Sequence, residues 1–138
     1  MKKIKRTLLC LILAVLVVAS CAITAMAATG DGSVVSGSTR YLFGWNIYIT
    51  STYGAANVST TDSPATVKAV AHNYLYSEIN KRYGDSEEVS ATGYGTVTAK
   101  VNNVLKVGDL YIPSCQVIKT TADFYVAGQY VATGTESA

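Results

Sequence analysis

Two residues of this 138-residue chain have side chains suited to covalent chemistry: Cys115 as a thiol nucleophile and His72 as its base. His72 is the sole histidine. Cys10 and Cys21 fall within the first 27 residues, so Cys115 is the only thiol of the remainder. Its surroundings, Pro113-Ser114-Cys115-Gln116, match no cysteine-nucleophile signature. A single histidine makes neither a triad nor a metal site on its own. Asp85, Glu87 and Glu88 form the one acidic cluster. Their spacing lacks the regular oxygen series of a calcium loop, and they read as a solvated turn. No catalytic, cofactor-binding or metal site is expected, and the chain reads as non-enzymatic.

Tyrosine is the richer signal. All ten tyrosines lie beyond residue 27. A tyrosine on a sheet surface is a rigid anchor with an apolar ring and a polar tip, suited to a protein partner or a sugar ring. Tyr48, Tyr74, Tyr76 and Tyr125 are the expected partner-binding surface, with Tyr94 a further projecting ring. The competing role is cross-strand aromatic packing.

The elements that carry these residues read as strands. Tyr41, Phe43, Trp45, Ile47 and Ile49 alternate with Gly44 and Asn46, so one face of 39–53 is buried. Gly44 inside that run suggests a bulge or a close approach. In 65–76, Ala65, Val67, Ala69, Ala71 and Leu75 share one parity and Lys68, His72, Tyr74 and Tyr76 the other. A helix over 64–83 is the alternative, started by Ser63-Pro64 and ended by Gly84. Residues 89–101 alternate again. Gly108-Asp109 reads as the turn of a short hairpin, and 115–120 and 122–133 as closing strands. The expected fold is an all-β antiparallel β-sandwich of five to six strands, or a partly closed barrel.

The N-terminus carries an address. Lys2, Lys3, Lys5 and Arg6 precede an uncharged apolar run from Thr7 to Ser20, and Ala25-Met26-Ala27 is a small-x-small cleavage site. Residues 1–27 are therefore predicted to be a signal peptide cut at Ala27, and the product to be secreted and extracellular. Val18-Ala19-Ser20-Cys21 also fits a bacterial lipobox. Lipidation at Cys21 would give a membrane-anchored lipoprotein, a surface structural or adhesion module. The expected layout is a flexible lead-in over 28–38, one domain over 39–133 and a tail over 134–138.

Removing residues 1–27 leaves 111 residues with seven Lys/Arg against nine Asp/Glu, a formal charge of −2. The apparent basicity of the whole chain belongs to the leader. No basic patch remains for nucleic acid, and membrane contact is expected only through the leader or a lipid anchor. One cysteine allows no internal disulfide, so the core and its hydrogen bonds must hold the fold.

Ser51-Thr52-Tyr53, Gly95-Thr96-Val97-Thr98-Ala99 and Ala122-Asp123-Phe124-Tyr125-Val126 carry a resemblance, over about half of the mature chain, to the lactococcin-type small secreted β-sandwich bacteriocins. The resemblance implies a leader, a disulfide-free two-sheet antiparallel fold and interference with cell-wall synthesis in neighbouring cells. This chain departs from it by greater length, fewer His and Trp, and the segment Glu78 to Ser90. No functional residue carries over. The resulting expectation is a secreted protein that binds a cell-wall component or a surface protein at the cell envelope.

Overall fold

A computed structural model describes residues 28–138. The signal segment, its cleavage residues Ala25 and Ala27, and the lipobox Cys21 lie outside the described residues. Those described form eleven strands in antiparallel sheets, with no helix among them: β1 (Ala28–Ser36), β2 (Thr39–Ile49), β3 (Tyr53–Thr61), β4 (Thr66–Ser77), β5 (Arg82–Asp85), β6 (Val89–Tyr94), β7 (Thr96–Asn102), β8 (Leu105–Val107), β9 (Leu110–Ile112), β10 (Gln116–Val126) and β11 (Gln129–Ser137). One sheet runs β1-β2-β3-β7. The second runs β11-β10-β4, and the far edge of β4 is shared by β6 at one end and β5 at the other. The β8–β9 hairpin stands alone, bridged to the second sheet by Ser86 and Leu105. The two main sheets form an antiparallel β-sandwich.

The strand reading of 65–76 holds and the helix alternative over 64–83 does not; two further readings are corrected. The ambiguous 64–83 segment is strand β4, a turn and strand β5, because its odd positions bury in strict alternation from Val67 to Ser77. The strand count exceeds five to six because 89–101 is two strands and because 28–36, 53–61 and 82–85 are strands as well. Residues 89–101 turn at Gly95, which at φ +83 passes the chain from one sheet to the other. The lead-in and the tail are also strands: 28–36 pairs along its whole length with β2, and 134–137 completes β11.

The lead-in orders because its glycines are filled by aromatic rings. Gly30 lies directly opposite Trp45 and Gly32 opposite Phe43. A Cβ on Gly30 would meet the indole at 2.5 Å, and one on Gly32 would meet the Phe43 ring at 2.8 Å. Each ring covers the backbone that glycine leaves bare, an aromatic rescue of a weak strand. Trp45 also abuts Gly134 of β11, where a Cβ would sit 2.4 Å away, and stacks on Phe124 with ring centroids 5.0 Å apart. The indole thus spans the seam between the sheets. Gly44 makes neither a bulge nor a tight approach: its register is unbroken, and a Cβ there would meet the Gly30 carbonyl oxygen at an ordinary 3.8 Å.

A bulge at Ile118 sets the inner face of β10. Before it Cys115 and Val117 point inward; after it Thr120, Ala122, Phe124 and Val126 do. The parity flip divides the interior. Val67, Ala69, Ala71, Phe124, Val126, Ile47 and Val58 belong to the main core. Leu75, Leu105, Ile112, Cys115 and Val117 form a smaller one under the β8–β9 hairpin. Between them sits a polar pair. Thr120 Oγ1 donates to Asn73 Oδ1 at 2.7 Å, and Asn73 Nδ2 donates to the Val101 carbonyl of the opposite sheet at 3.0 Å. Both side chains are fully buried. Gly54 of β3 lies over the pair, where any side chain would collide with it.

Candidate functional site

Strand alternation sends the even residues of β4 to the outer face of the second sheet. They are Lys68, Val70, His72, Tyr74 and Tyr76. Cross-strand partners share a face, so the register adds Tyr83 opposite Tyr76, Tyr94 opposite Thr66, Tyr125 opposite Lys68, and Tyr130 opposite Tyr125. Six of the ten tyrosines therefore stand on one face.

They group at two ends. At one, Tyr83 leans on Tyr76 at 4.6 Å and lies parallel to Tyr74 at 5.8 Å, with Lys119 Nζ 5.5 Å above the Tyr74 ring. At the other, Tyr125 and Tyr130 meet edge to face at 5.9 Å, and Lys68 Nζ lies 5.5 Å from the Tyr125 ring. Tyr130 Oη hydrogen-bonds Thr133 Oγ1, which donates to Asp123 Oδ1 at 2.6 Å. That chain ties the Tyr130 hydroxyl to β10 through Thr133. Between the ends lie His72, Thr121 and Thr135, a row of hydrogen-bonding groups across three strands. Tyr74 to Lys68 is six residues, roughly 20 Å of strand. Lys68 and Lys119 are matched on this face by Asp85 and Asp123, so it carries little net charge.

The rings are used in part by one another, as cross-strand packing requires, yet Tyr83 and Tyr130 remain 58% exposed and Tyr94 72%. Of the sequence-derived candidates, Tyr74, Tyr76 and Tyr125 share the face. Tyr48 does not: it lies on the outer face of the first sheet, edge to face with Tyr53 at 6.2 Å. Partial burial, and next the Tyr53 phenol, raise the Tyr48 phenol above its ordinary pKa. The sequence reading missed Tyr83 and Tyr130. The first sits in a segment without alternation. The second follows the tight turn Ala127-Gly128, whose pairing of Val126 with Gln129 was the available signal.

His72 and Cys115 are not brought together. His72 is on the outer face opposite Thr121, whereas Cys115 is buried in the smaller core, its thiol donating to the Ile112 carbonyl at 3.3 Å. The sheet lies between them. The acidic cluster also disperses: Glu87 pairs with Lys106 at 3.0 Å on the rim of an open cleft of about 250 Å³ that Lys100 and Tyr111 also line. That contact raises the Lys106 pKa, first through the hydrogen bond to Glu87 and then through its charge. Among the described residues no group of three His, Cys, Asp or Glu converges on a metal-sized space.

No protein-family model, no curated protein and no solved structure matches this chain.

Proposed function

We propose that the exported chain is a non-enzymatic binding protein acting at or outside the cell envelope, with the outer face of β11-β10-β4-β5/β6 as its contact surface. The observation that carries this reading is the gathering of Tyr74, Tyr76, Tyr83, Tyr94, Tyr125 and Tyr130 on one nearly neutral face. Rings flanked by Thr, His and Asp suit a hydroxyl-rich polymer: apolar ring faces cover the flat side of a sugar, and the polar row takes its hydroxyls. A cell-wall glycan is the target class that fits, and bacteriocin-like interference with wall synthesis is the activity in keeping with the family resemblance. The −2 mature charge argues against a polyanion as the main target.

The test is co-sedimentation of residues 28–138 with purified cell-wall sacculi. Tyr76→Ala/Tyr83→Ala and Tyr125→Ala/Tyr130→Ala variants should each lose binding while keeping the fold. Equal retention by wild type and both variants would remove this face from consideration. Growth inhibition of neighbouring strains by the same proteins tests the bacteriocin-like activity.

A further inference from the structure

We infer that β1 is a homodimerisation edge, pairing antiparallel with β1 of a second copy across a twofold axis at Gly32. The turn after β1 sets the phase of its hydrogen bonds. Gly37-Ser38 closes a two-residue hairpin on the pair Ser36–Thr39. Such a closing pair exchanges both hydrogen bonds, and hydrogen-bonded and open pairs then alternate up the ladder. Ser36, Val34, Gly32, Gly30 and Ala28 thus bond to β2. Val35, Ser33, Asp31 and Thr29 turn their N–H and C=O groups away from it. One contact verifies this phase: Gln129 Nε2 donates to the Val35 carbonyl at 2.9 Å, from the side away from β2. Among the described residues, Thr29, Asp31 and Ser33 make no hydrogen bond beyond the ladder.

Proteins protect exposed edges with short strands, bulges, Pro or inward charge. The other edges here have such guards. β5 is four residues long and carries Arg82 and Asp85. β11 is bulged where Tyr125 pairs Tyr130 and Val131 is skipped. β7 adjoins β6, and Asn73 occupies its Val101 carbonyl. β1 has nine residues in unbroken register, with no Pro and no Lys, and its one guard is Gln129 on the Val35 carbonyl at its turn end, which leaves Thr29, Asp31 and Ser33 open.

The edge is also self-complementary. Centred on Gly32, the antiparallel register sets Asp31 against the partner's Ser33 and Thr29 against the partner's Val35. Each is a pair of outward-turned residues; the two Asp31–Ser33 pairs exchange two hydrogen bonds each, whereas at the Thr29–Val35 pairs the Val35 carbonyl is already held by Gln129. The only charge on the edge meets a hydroxyl rather than its own copy. A foreign strand would fit the backbone equally, but a second copy brings this side-chain match with it. Because paired residues share a face, the twofold stands perpendicular to the sheet. Both second sheets then lie on one side of the continuous eight-stranded sheet, and both tyrosine faces point the same way. On the binding reading above, a dimer would grip a wall surface at two points; the pairing itself does not depend on that reading.

Residues 28–138 contain all the described strands and both cores, so sedimentation equilibrium on that chain tests the pairing directly. The expected mass is that of a dimer. Ser33→Pro should give a monomer with unchanged Trp45 emission, because proline is tolerated on an edge where the N–H faces solvent yet blocks an incoming strand. In a second arm, Asp31→Cys and Ser33→Cys chains are oxidised separately and mixed. A disulfide should form only in the mixture, since the register separates like positions beyond bridging distance and Cys115 is buried. A wild-type monomer at every concentration, a dimer that Ser33→Pro leaves intact, or equal cross-linking in unmixed samples each overturns the inference. Should Ser33→Pro misfold, the cross-linking arm decides alone.

Discussion

The two halves of the interior are built by different means. The main core holds thirteen buried apolar residues between two full sheets, with Trp45 filling the seam at its open side. The smaller core holds five, Leu75, Leu105, Ile112, Cys115 and Val117, and its lid is a hairpin of two three-residue strands rather than a sheet. The buried Asn73–Thr120 pair separates them. Burial contributes in proportion to apolar area removed from water, so the main core must carry most of the stability. A region closed by a short hairpin opens more easily than the sheets around it. This domain thus replaces disulfides with one continuous core and tolerates a weaker satellite.

The largest effect should come from Trp45. It contacts β1, β11 and Phe124 at once, so truncation removes packing from both sheets. Loss of a core aromatic costs about 3–5 kcal/mol, a large share of the roughly 5–15 kcal/mol typical of a domain. Trp45→Ala should therefore unfold the protein or lower its urea midpoint steeply by circular dichroism, while Asn46→Ala on the outer face should change little. Wild-type Trp45 should emit toward the blue and shift red on unfolding. Solvent-like native emission would show that the seam is not part of the core.

How much of this was legible in the sequence follows from the kind of residue involved. The alternation of Phe43, Trp45 and Ile47 stands out because a strand with one buried face is what places large apolar groups at period two. β1 was hidden, since Gly30 and Gly32 carry no strand signal and gain one only from rings fifteen and eleven residues downstream. Asn73 was hidden for the opposite reason: a polar residue at an inward parity looks misplaced until its partners Thr120 and Val101 are known. The bulge at Ile118 erased the alternation of β10 by switching its parity. Tyr74, Tyr76 and Tyr125 were readable as projecting rings, but the register alone places them with Tyr83 and Tyr130 and sends Tyr48 to the other sheet.

Asn73 offers the next effect. Asn73→Ala leaves the Thr120 hydroxyl and the Val101 carbonyl buried without partners, at about 1–3 kcal/mol for each group. The unfolding free energy should fall by roughly 2–6 kcal/mol on that principle. Asn73→Leu with Thr120→Val replaces both partners by apolar groups of similar shape and should recover much of the loss, fusing the two cores. If the double variant is no better than Asn73→Ala, the divide is essential to the packing rather than merely satisfied.

Cys115 reports on the smaller core alone. Buried at 2% exposure, it should react with a thiol reagent only when that core opens. The free energy derived from its labelling rate should be smaller than that from global unfolding, if the hairpin lifts separately. Cys115→Ser should cost about 1 kcal/mol, because the hydroxyl keeps the bond to the Ile112 carbonyl but is poorer in an apolar site. Equal labelling and global free energies would merge the two regions into one cooperative unit. Fast native labelling would place the thiol at the surface.

The smallest effect lies at the far end of the main core, in the turn joining β10 and β11. Val126 pairs with Gln129, leaving Ala127 and Gly128 as the two turn residues, with φ of 50° and 77°. This is the left-handed pair that a two-residue hairpin demands, and it matches the right-handed twist of the strands. Gly128 adopts it freely. Ala127 does not, because its Cβ crowds the following carbonyl. Asparagine tolerates the same conformation far better, and Asn-Gly is the preferred sequence for such a turn. Ala127 is only half-buried and its N–H, bonded to the Thr66 carbonyl at 2.8 Å, is retained by asparagine. Ala127→Asn should therefore stabilise the protein by about 0.5–1 kcal/mol. Since this turn anchors the main core, the gain should appear in the global urea midpoint, whereas the Cys115 labelling free energy of the smaller core should stay where it was. A gain in both would mean that the cores open together, and no gain in either would mean that the turn frays before the main core unfolds.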